Sequence, residues 1–357
     1  MEPIETLLLK RSEVASLLTI DECIAGVEHA FKMYAEGKVL PPKVLGMHTD
    51  VGGFHIKAGI MDLGKPYFVS KINANFPANS KQYGLPTIQG VIVVCDGENG
   101  RLLALMDSIE ITIIRTGAAT AVAAKYLAPQ GATVATICGC GNQGRISLKA
   151  LMKVRKLEKV FALDTDKVQA DKLAREFSQQ LQVIPISVDE LKASLKESQV
   201  VVTCTPSKKP FLRAEDIMPG TFIAAVGADS EEKQELFPEL MALNKVVVDV
   251  AEQSAGIGEF HHAIEQGLIT AAGIHAELGF VIAGKKAGRE SDGEIIIFDS
   301  TGMALQDVAA ASIVYEKALA KGIGTTLNFL EQQSDDLKVS KGYKRDIEAL
   351  NSWFPFK

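Results

Sequence analysis

The chain has 357 residues, of which 47% are hydrophobic and 23% charged, a composition typical of a globular protein with room for two domains. The net charge of −6 argues against nucleic acid or an anionic membrane surface as a partner. The acidic N-terminus lacks the features of a signal peptide, and no apolar run reaches the ~18 residues of a membrane span, so we expect a cytoplasmic protein. The five cysteines lack zinc-ligand spacing, so reduced thiols and no metal site are expected.

The N-terminal part of the chain predicts an α+β unit. Helical patterns at 11–18 and 20–36 precede strand patterns at 54–58, 67–73, 88–95 and 102–106. Residues 96–100, Asp-Gly-Glu-Asn-Gly, predict a hairpin turn between the last two strands. An alanine-rich helix is then predicted over 108–127.

From residue 131 to residue 299, short β-branched runs alternate with helical patterns such as 166–179 and 188–196. This alternation predicts an α/β fold with a Rossmann-type doubly wound sheet. The predicted strands are 132–138, 159–163, 183–187, 199–204, 222–226, 246–250 and 294–298. A second alanine-rich helix over 303–321 returns the chain to the first unit. We therefore expect a discontinuous α+β substrate and dimerisation domain (1–117 and 318–357) and a nucleotide-binding domain (118–317).

The predicted strand 132–138 turns through Gly139-x-Gly141-x-x-Gly144 into a helix. In this motif the first glycine permits the tight turn, the second lets the backbone approach a pyrophosphate, and the third lets helix and strand pack closely. Asp164 ends the next strand, near the spacing of the carboxylate that binds a ribose 2′-hydroxyl. Because a carboxylate repels a 2′-phosphate, we expect NAD rather than NADP. The alternative is a β–α turn that binds no cofactor.

Three charged residues in apolar surroundings are candidates for chemistry. Lys71 lies in a predicted strand, where a buried ammonium can act in proton transfer or carbonyl binding; a solvated strand face is the alternative. Arg115, in the alanine-rich helix, needs an anionic partner, either a substrate carboxylate or a structural Asp or Glu. Asp229 follows a strand and a glycine turn, where it can serve as general acid or base, or as the N-cap of a helix.

Several segments in register resemble the ornithine cyclodeaminase/mu-crystallin family, and they cover the chain from about residue 5 to residue 325. The matching segments are 68–79, 85–90, 114–119, 139–143, 227–236 and 288–302. The resemblance implies a homodimer whose N-terminal unit builds the subunit interface, with an NAD(P)-binding domain facing that unit across a cleft. It also implies that Lys71 and Arg115 bind a substrate carboxylate, that Asp229 is the general acid/base, and that Thr87 and Lys233 line the site.

Two positions depart from the family pattern. Lys43 stands after the Pro-Pro pair where members commonly have arginine, which replaces a bidentate fork with a point charge. His55 aligns with a glutamate of the cyclodeaminases, so recognition of a second amino group is in doubt. The alternative is that His55 and Lys57 line an exposed strand face. We retain Lys43 and His55 as candidate substrate-binding residues.

The resemblance and the glycine loop together predict an NAD(H)-dependent oxidoreductase acting at the α-carbon of an amino acid or imino acid. The rival enzyme is an ornithine-type cyclodeaminase, an ammonia-releasing lyase with tightly bound NAD. A third possibility is a nucleotide-bound binding protein. The candidate cofactor contacts are Gly139, Gly141, Asn142, Gln143, Gly144, Asp164, Thr165, Thr116, Thr205, Val226, Gly227, Asp299 and Gly302.

Overall fold

A computed structural model describes residues 5–328, in which seven strands form a first sheet and eight form a second. The first sheet has the order β17-β1-β6-β5-β4-β3-β2; β1 and β6 are parallel, and its other neighbours are antiparallel. Its strands are β1 (Thr6–Leu9), β2 (Lys43–Thr49), β3 (Gly52–Asp62), β4 (Pro66–Asn75), β5 (Ile88–Asp96), β6 (Leu102–Asp107) and β17 (Thr325–Leu327). The helices of this part are α1 (Arg11–Leu17), α2 (Ile20–Ala35), α3 (Asn79–Gln82) and α4 (Ile109–Leu127).

The second sheet is parallel throughout and has the order β15-β14-β16-β12-β10-β7-β8-β9. Its strands are β7 (Val134–Cys138), β8 (Lys159–Leu163), β9 (Gln182–Ile186), β10 (Val200–Thr203), β12 (Phe222–Ala225), β14 (Lys245–Val248), β15 (Ala276–Glu277) and β16 (Ile296–Asp299). β11 (Lys208–Leu212) and β13 (Gln234–Leu236) form a separate parallel pair. The order confirms the Rossmann-type doubly wound sheet.

Helices separate most of the strands in this part of the chain. They are α5 (Asn142–Val154), α6 (Lys167–Phe177), α7 (Leu191–Glu197), α8 (Pro238–Leu243), α9 (Ala251–Ile257), α10 (Glu259–Glu265), α11 (Leu278–Ile282) and α12 (Ala304–Lys321). The strands β10, β12 and β16 are buried along their whole length because the sheet lies in the core, which explains why their sequences are apolar at nearly every position. Among the described residues, no helix combines the length and hydropathy needed to cross a membrane.

The two long alanine-rich helices connect the sheets, and small side chains let them pack closely. A Cβ atom at Gly117 of α4 would lie 2.8 Å from the Ile146 side chain of α5, so glycine permits this crossing. α12 covers β3 and β4 on the face of the first sheet that carries Lys57 and Lys71. The proposed domain boundaries at 117/118 and 317/318 fall inside α4 and α12 and stay a prediction; residues 1–4 and 329–357 lie outside the described residues.

Most strands that the sequence analysis did not predict are short or lie at sheet edges. β2, β15 and β17 are edge strands, and β11 and β13 pair only with each other. Every residue of β2 is exposed, so it lacks the buried alternation by which strands are predicted. The helix predicted over 188–196 begins as a 3-10 turn at Val188–Glu190 and continues as α7.

Arg155 closes the C-terminal end of α4 from the residue that follows α5. Its guanidinium donates to the carbonyl oxygens of Ala124 (2.6 Å), Ala128 (3.0 Å) and Pro129 (3.1 Å). Carbonyls at a helix C-terminus lack partners within the helix, and a cation there also opposes the negative end of the helix dipole. Arg155 therefore fixes the end of the helix that carries Arg115.

We predict that Arg155→Ala lowers the free energy of unfolding by about 1.5–3 kcal/mol, because the carbonyls lose a charged donor in a buried place. Urea denaturation followed by circular dichroism measures the change. Arg175→Ala, at an exposed position of α6, is the matched control and should unfold like the wild type. Equal midpoints for the two variants would show that Arg155 does not support α4.

Candidate active site

The predicted cofactor residues gather at the carboxyl edge of the second sheet. β7 lies between β8 and β10. After β7 the chain adds β8 and β9 on one side of it, and then returns to add β10 and β12 on the other side, so this edge is a topological switch point. Ligands of doubly wound sheets bind in the crevice at such a point. The residues that follow strand ends here are Gly139, Gly141, Asn142, Gln143, Gly144, Asp164, Thr165, Thr205, Val226, Gly227 and Gly302.

The three glycines of the loop after β7 have different geometric requirements. Gly139 has a φ of 100°, and a Cβ atom at Gly144 would overlap the Gly139 carbonyl oxygen. A Cβ atom at Gly141 would meet nothing within 4 Å, so the space beside this residue is open. Gly139 and Gly144 therefore shape the turn, and Gly141 leaves a surface that a phosphate group could approach.

The residues around this loop fit a dinucleotide. α5 begins at Asn142, so the amides of its first turn have no partner within the helix and can bind an anion. The side-chain oxygen of Gln143 is buried without a hydrogen-bond partner among the described residues. Asp164 is half-buried beside the loop; its carboxylate accepts the N–H of Cys140 at 2.8 Å, and Thr165 next to it is exposed.

Glu235 contacts two of the other predicted cofactor residues, Thr205 and Gly227. Its carboxylate accepts the N–H of Thr205 at 2.6 Å, and a Cβ atom at Gly227 would overlap its other oxygen. Val226 follows β12 immediately before Gly227. Thr116 lies apart on α4, where its buried hydroxyl donates to the Thr112 carbonyl at 2.8 Å.

The structure corrects the expectation that the Asp299 side chain contacts a cofactor. Asp299 is fully buried, and its two oxygens accept the N–H groups of Glu259 and Phe260, both at 3.1 Å. The carboxylate thus caps the N-terminus of α10 and has no exposed atom to offer a ligand. Gly302, also predicted, has a φ of 85° and lies against Arg115; a Cβ atom at this position would be 2.7 Å from Arg115 Nη1.

Lys71 and Arg115 converge on one buried carboxylate. Lys71 Nζ lies 2.8 Å from Asp307 Oδ1, and Arg115 Nε lies 3.3 Å from the same oxygen. Arg115 Nη1 also donates to the Gln306 side chain at 3.1 Å. Asp307 is in the first turn of α12, where the helix dipole favours a negative charge. Lys71 therefore does not lie on a solvated strand face, which excludes that alternative. For Arg115, the structure contains the structural carboxylate that the sequence analysis considered, and it is Asp307.

Lys57 adds a third cation to this cluster. It lies directly opposite Lys71 in the β3–β4 ladder, so the two side chains share a face. Lys57 is buried, and its ammonium donates to the carbonyl oxygens of Thr301 (2.7 Å) and Gly302 (2.8 Å). The alternative of an exposed strand face is therefore excluded for Lys57.

The cluster holds three cations and one carboxylate away from water. Burial, together with the nearby Arg115 charge, lowers the pKa of Lys71 to about 7, although Asp307 opposes the shift. Burial likewise lowers the pKa of Lys57. Burial alone would raise the pKa of Asp307, but the charges of Lys71 and Arg115 outweigh it and lower that pKa. The excess positive charge makes this a place where a second carboxylate is favourable.

Asp229 lies in the loop between β12 and β13. No helix follows it in the described structure, which excludes the N-cap alternative; instead its carboxylate pairs with Lys233 at 2.6 Å. Burial of part of the group would raise its pKa, but Lys233, with Lys57 and His55 also contributing, lowers the pKa of Asp229 to about 2.

Three further predicted substrate residues differ in their position relative to the cluster. His55 is on the same face as Lys57, two residues earlier in β3, and burial lowers its pKa although Asp229 opposes the shift. Thr87 precedes β5 and is half-buried; its carbonyl accepts the N–H of Phe76 at 2.9 Å. Lys43 does not join them: it pairs with Ala58, whose side chain is on the opposite face from Lys57. The strand alternation thus corrects the expectation for Lys43.

The sequence analysis missed the residues that hold the cluster together. Asp307 and Gln306 carry a signal, because polar side chains in an alanine-rich helix need a buried partner. Asp249, at the end of β14, accepts the N–H of Gly302 at 2.5 Å and the hydroxyl of Thr301 at 2.9 Å. It therefore orients the two carbonyls that bind Lys57.

Comparisons with known proteins identify the family. The family model described as "Ornithine cyclodeaminase/mu-crystallin family" matches residues 4–322. The chain belongs to this family. It is 42% identical over 328 residues to an alanine dehydrogenase of Archaeoglobus fulgidus, covering 91% of this chain and 99% of that protein.

Two solved structures of family members are closely similar. An archaeal alanine dehydrogenase dimer with bound NAD has a TM-score of 0.87 at 39% identity, covering 91% of this chain and 99% of that one. The Δ1-pyrroline-2-carboxylate reductase of Thermococcus litoralis, in complex with NADH and L-proline, has a TM-score of 0.85 at 33% identity, covering 90% and 100%. The family fold is thus present nearly from end to end of these relatives.

The glycine loop generates a paired prediction for this family member. Gly144→Ala should lower the free energy of unfolding by about 1–3 kcal/mol, because its Cβ atom overlaps the Gly139 carbonyl. Gly141→Ala should unfold like the wild type yet bind NADH more weakly, because its methyl group fills the open space. Thermal unfolding and NADH fluorescence titration measure the two effects. Unchanged NADH affinity in a stable Gly141→Ala protein would contradict the assignment of that space to the cofactor.

A pH dependence follows from the lowered pKa of Lys71. Below pH 7 the amine is charged and attracts a carboxylate; as the pH rises through about 7 it loses its proton, so carboxylate affinity should fall. The inhibition constant of a non-reacting monocarboxylate, measured against pH, should therefore rise on the alkaline side. Lys71→Arg, which stays charged, should remove this rise. Persistence of the rise in that variant would assign it to another group.

Proposed function

We propose that the protein is an NAD(H)-dependent oxidoreductase that acts at the α-carbon of an amino acid or imino acid. The observation that carries the proposal is the buried cluster of Lys57, Lys71 and Arg115. It contacts Thr301 and Gly302, which follow β16 at the carboxyl edge of the dinucleotide-type sheet, and Asp307 is the carboxylate that pairs with Lys71 and Arg115. The dehydrogenase and reductase activities named for its relatives support the same reaction class.

The cofactor assigned here is NAD, held by the glycine loop. Gly141 and the first amides of α5 would receive the pyrophosphate, and Asp164 would bind the adenosine ribose while disfavouring the 2′-phosphate of NADP. The relatives crystallised with NAD or NADH support this choice. When bound, the nicotinamide supplies or removes the hydride at the substrate α-carbon.

Lys71 and Arg115 are the proposed substrate-carboxylate ligands. A carboxylate brought beside them adds negative charge where cations are in excess, so it would stabilise the ammonium form of Lys71. Holding the carboxylate fixes the position of the α-carbon relative to the nicotinamide. Such orientation can lower a reaction barrier by several kcal/mol. His55 is the proposed neighbour of the substrate side chain.

Asp229 is the proposed proton carrier. The Lys233 ion pair keeps it in the carboxylate form, which can accept the proton that the substrate nitrogen loses when its carbon is oxidised. In the reductive direction the same group returns the proton. Half of the Asp229 side chain is exposed, so a substrate nitrogen and water can both reach it.

We also propose that the chain works as a homodimer through the uncovered face of the first sheet. Five apolar side chains there are exposed, and the strand register places them on the side away from Lys57: Leu45, Met47, Phe54, Ile60 and Ile72. A contiguous apolar patch of this kind marks an interface. The dimer named for the archaeal relative supports the proposal. Sedimentation of the full chain as a monomer at enzyme concentrations used for assays would overturn it.

A substrate panel tests the reaction class. We expect NADH to accumulate when NAD is mixed with one of a series of amino acids, and to be consumed with the corresponding keto acid plus ammonia, or with an imino acid. Ammonia is measured in parallel. Ammonia release from a diamino acid without net change in NADH absorbance would instead identify a cyclodeaminase, and binding of NADH without turnover of any substrate would favour a binding protein.

Asp229→Asn tests the proton carrier. The amide keeps the size of the side chain but cannot accept the proton, so kcat should fall roughly 100-fold or more while NADH affinity is kept. Glu231→Gln, an exposed residue of the same loop, is the control and should retain wild-type kcat. Near-normal turnover by Asp229→Asn would remove Asp229 from the mechanism.

A further inference from the structure

Three potential metal ligands converge on α10, outside the site described above. They are His261, His262 and Glu265, and one donor atom from each lies within 4.8 Å of the other two. Glu265 Oε2 is 3.9 Å from His261 Nε2 and 4.0 Å from His262 Nδ1. The spacing of these residues matches no zinc motif, so the sequence predicts no metal; the rings meet because they pack together, 3.8 Å between centroids.

Hydrogen bonds to the backbone fix which nitrogen of each ring carries a proton. His261 Nδ1 bonds to the Gly258 carbonyl, and His262 Nε2 lies 2.9 Å from the Lys233 carbonyl. A carbonyl oxygen only accepts, so each of these nitrogens is the donor. In the neutral rings the opposite nitrogens, which face Glu265, then carry lone pairs. Metal-binding histidines are oriented by bonds of this kind from the other ring nitrogen.

Two lone pairs and a carboxylate oxygen therefore point at one small volume, an arrangement that a cation stabilises. A tetrahedral Zn²⁺ separates its nitrogen and oxygen ligands by about 3.3–3.5 Å, so the Glu265 oxygen must move roughly 0.5 Å closer to each histidine nitrogen. The Glu265 side chain is 70% exposed and is free to make this adjustment.

We propose that His261, His262 and Glu265 bind a borderline divalent transition-metal ion such as Zn²⁺, with water completing the coordination. Two imidazoles and one carboxylate suit this class of ion rather than Ca²⁺ or Mg²⁺, which take oxygen ligands. The site lies one hydrogen bond from the backbone of Lys233, the residue that pairs with Asp229. A bound ion would fix His262 and, through this hydrogen bond, Lys233 at the end of the loop that precedes β13.

Titration of the untagged full chain with Co²⁺ tests the proposal, because a low-coordinate Co²⁺ site absorbs visible light far more strongly than the aquo ion. We expect one equivalent to bind and to be displaced by Zn²⁺. Glu265→Gln and His262→Gln should each weaken binding by at least about tenfold. A glutamine at position 262 can still donate to the Lys233 carbonyl, so the loop stays anchored.

His48→Gln is the matched control, because His48 stacks edge-on against His55 and forms the other close histidine pair of the described chain. Its Co²⁺ affinity should equal that of the wild type. Thermal unfolding of each apo variant checks that the fold is retained. The proposal is overturned if the wild type shows only the aquo-ion spectrum, or if Glu265→Gln and His262→Gln both bind Co²⁺ as tightly as the wild type.

Discussion

The Asp307 carboxylate connects three distant parts of the chain through ion pairs in a place that excludes water. It lies in the first turn of α12, beside Lys71 of the first sheet, and receives Arg115 of α4. Its buried Oδ2 has no hydrogen-bond partner among the described residues. The ion pairs of Oδ1 are therefore the contacts that offset the free-energy cost of burying this charge. Removing one partner of a buried pair costs on the order of 3–5 kcal/mol because the remaining charge is unpaired. The geometry of the cationic cluster and the junction of the two sheets therefore depend on the same contact.

Buried carboxylates also brace the loops at the carboxyl edge of the second sheet. Asp299 accepts the first amides of α10, and Glu259 of that helix accepts the amides of Glu235 and Leu236 at 2.7 and 3.0 Å. Glu235 in turn accepts the amide of Thr205. Each step satisfies backbone donors that a loop would otherwise leave unpaired. The chain of contacts connects the end of β16 to the loop that holds Asp229.

The sequence predicts residues whose role follows from local steric constraints. It does not predict ion-pair partners or buried faces that depend on elements far away in the chain. Gly144 is predictable because a Cβ atom at this position would overlap the carbonyl of Gly139, which is only five residues away. Lys71 is predictable as a candidate, but its partner Asp307 is 236 residues away. The burial of Lys57 depends on α12 covering one face of β3, and alternation alone does not say which face is covered. Asp299 shows the same limit, since a carboxylate at a strand end looks alike whether it meets a ligand or the N-terminus of α10.

The acids at the sheet edge show why geometry, and not pKa alone, supports Asp229 as the proposed proton carrier. Burial raises the pKa of Asp299 and of Glu235 to about 7, the range that general acid–base catalysis favours, whereas the pKa of Asp229 is lowered to about 2. Yet Asp299 and Glu235 are fully buried and bind backbone amides. Asp229 is half-exposed, and its carboxylate pairs with Lys233. A substrate amine that displaces Lys233 from Asp229 would replace one cation by another, which leaves the carboxylate charged and in contact with the nitrogen whose proton must move.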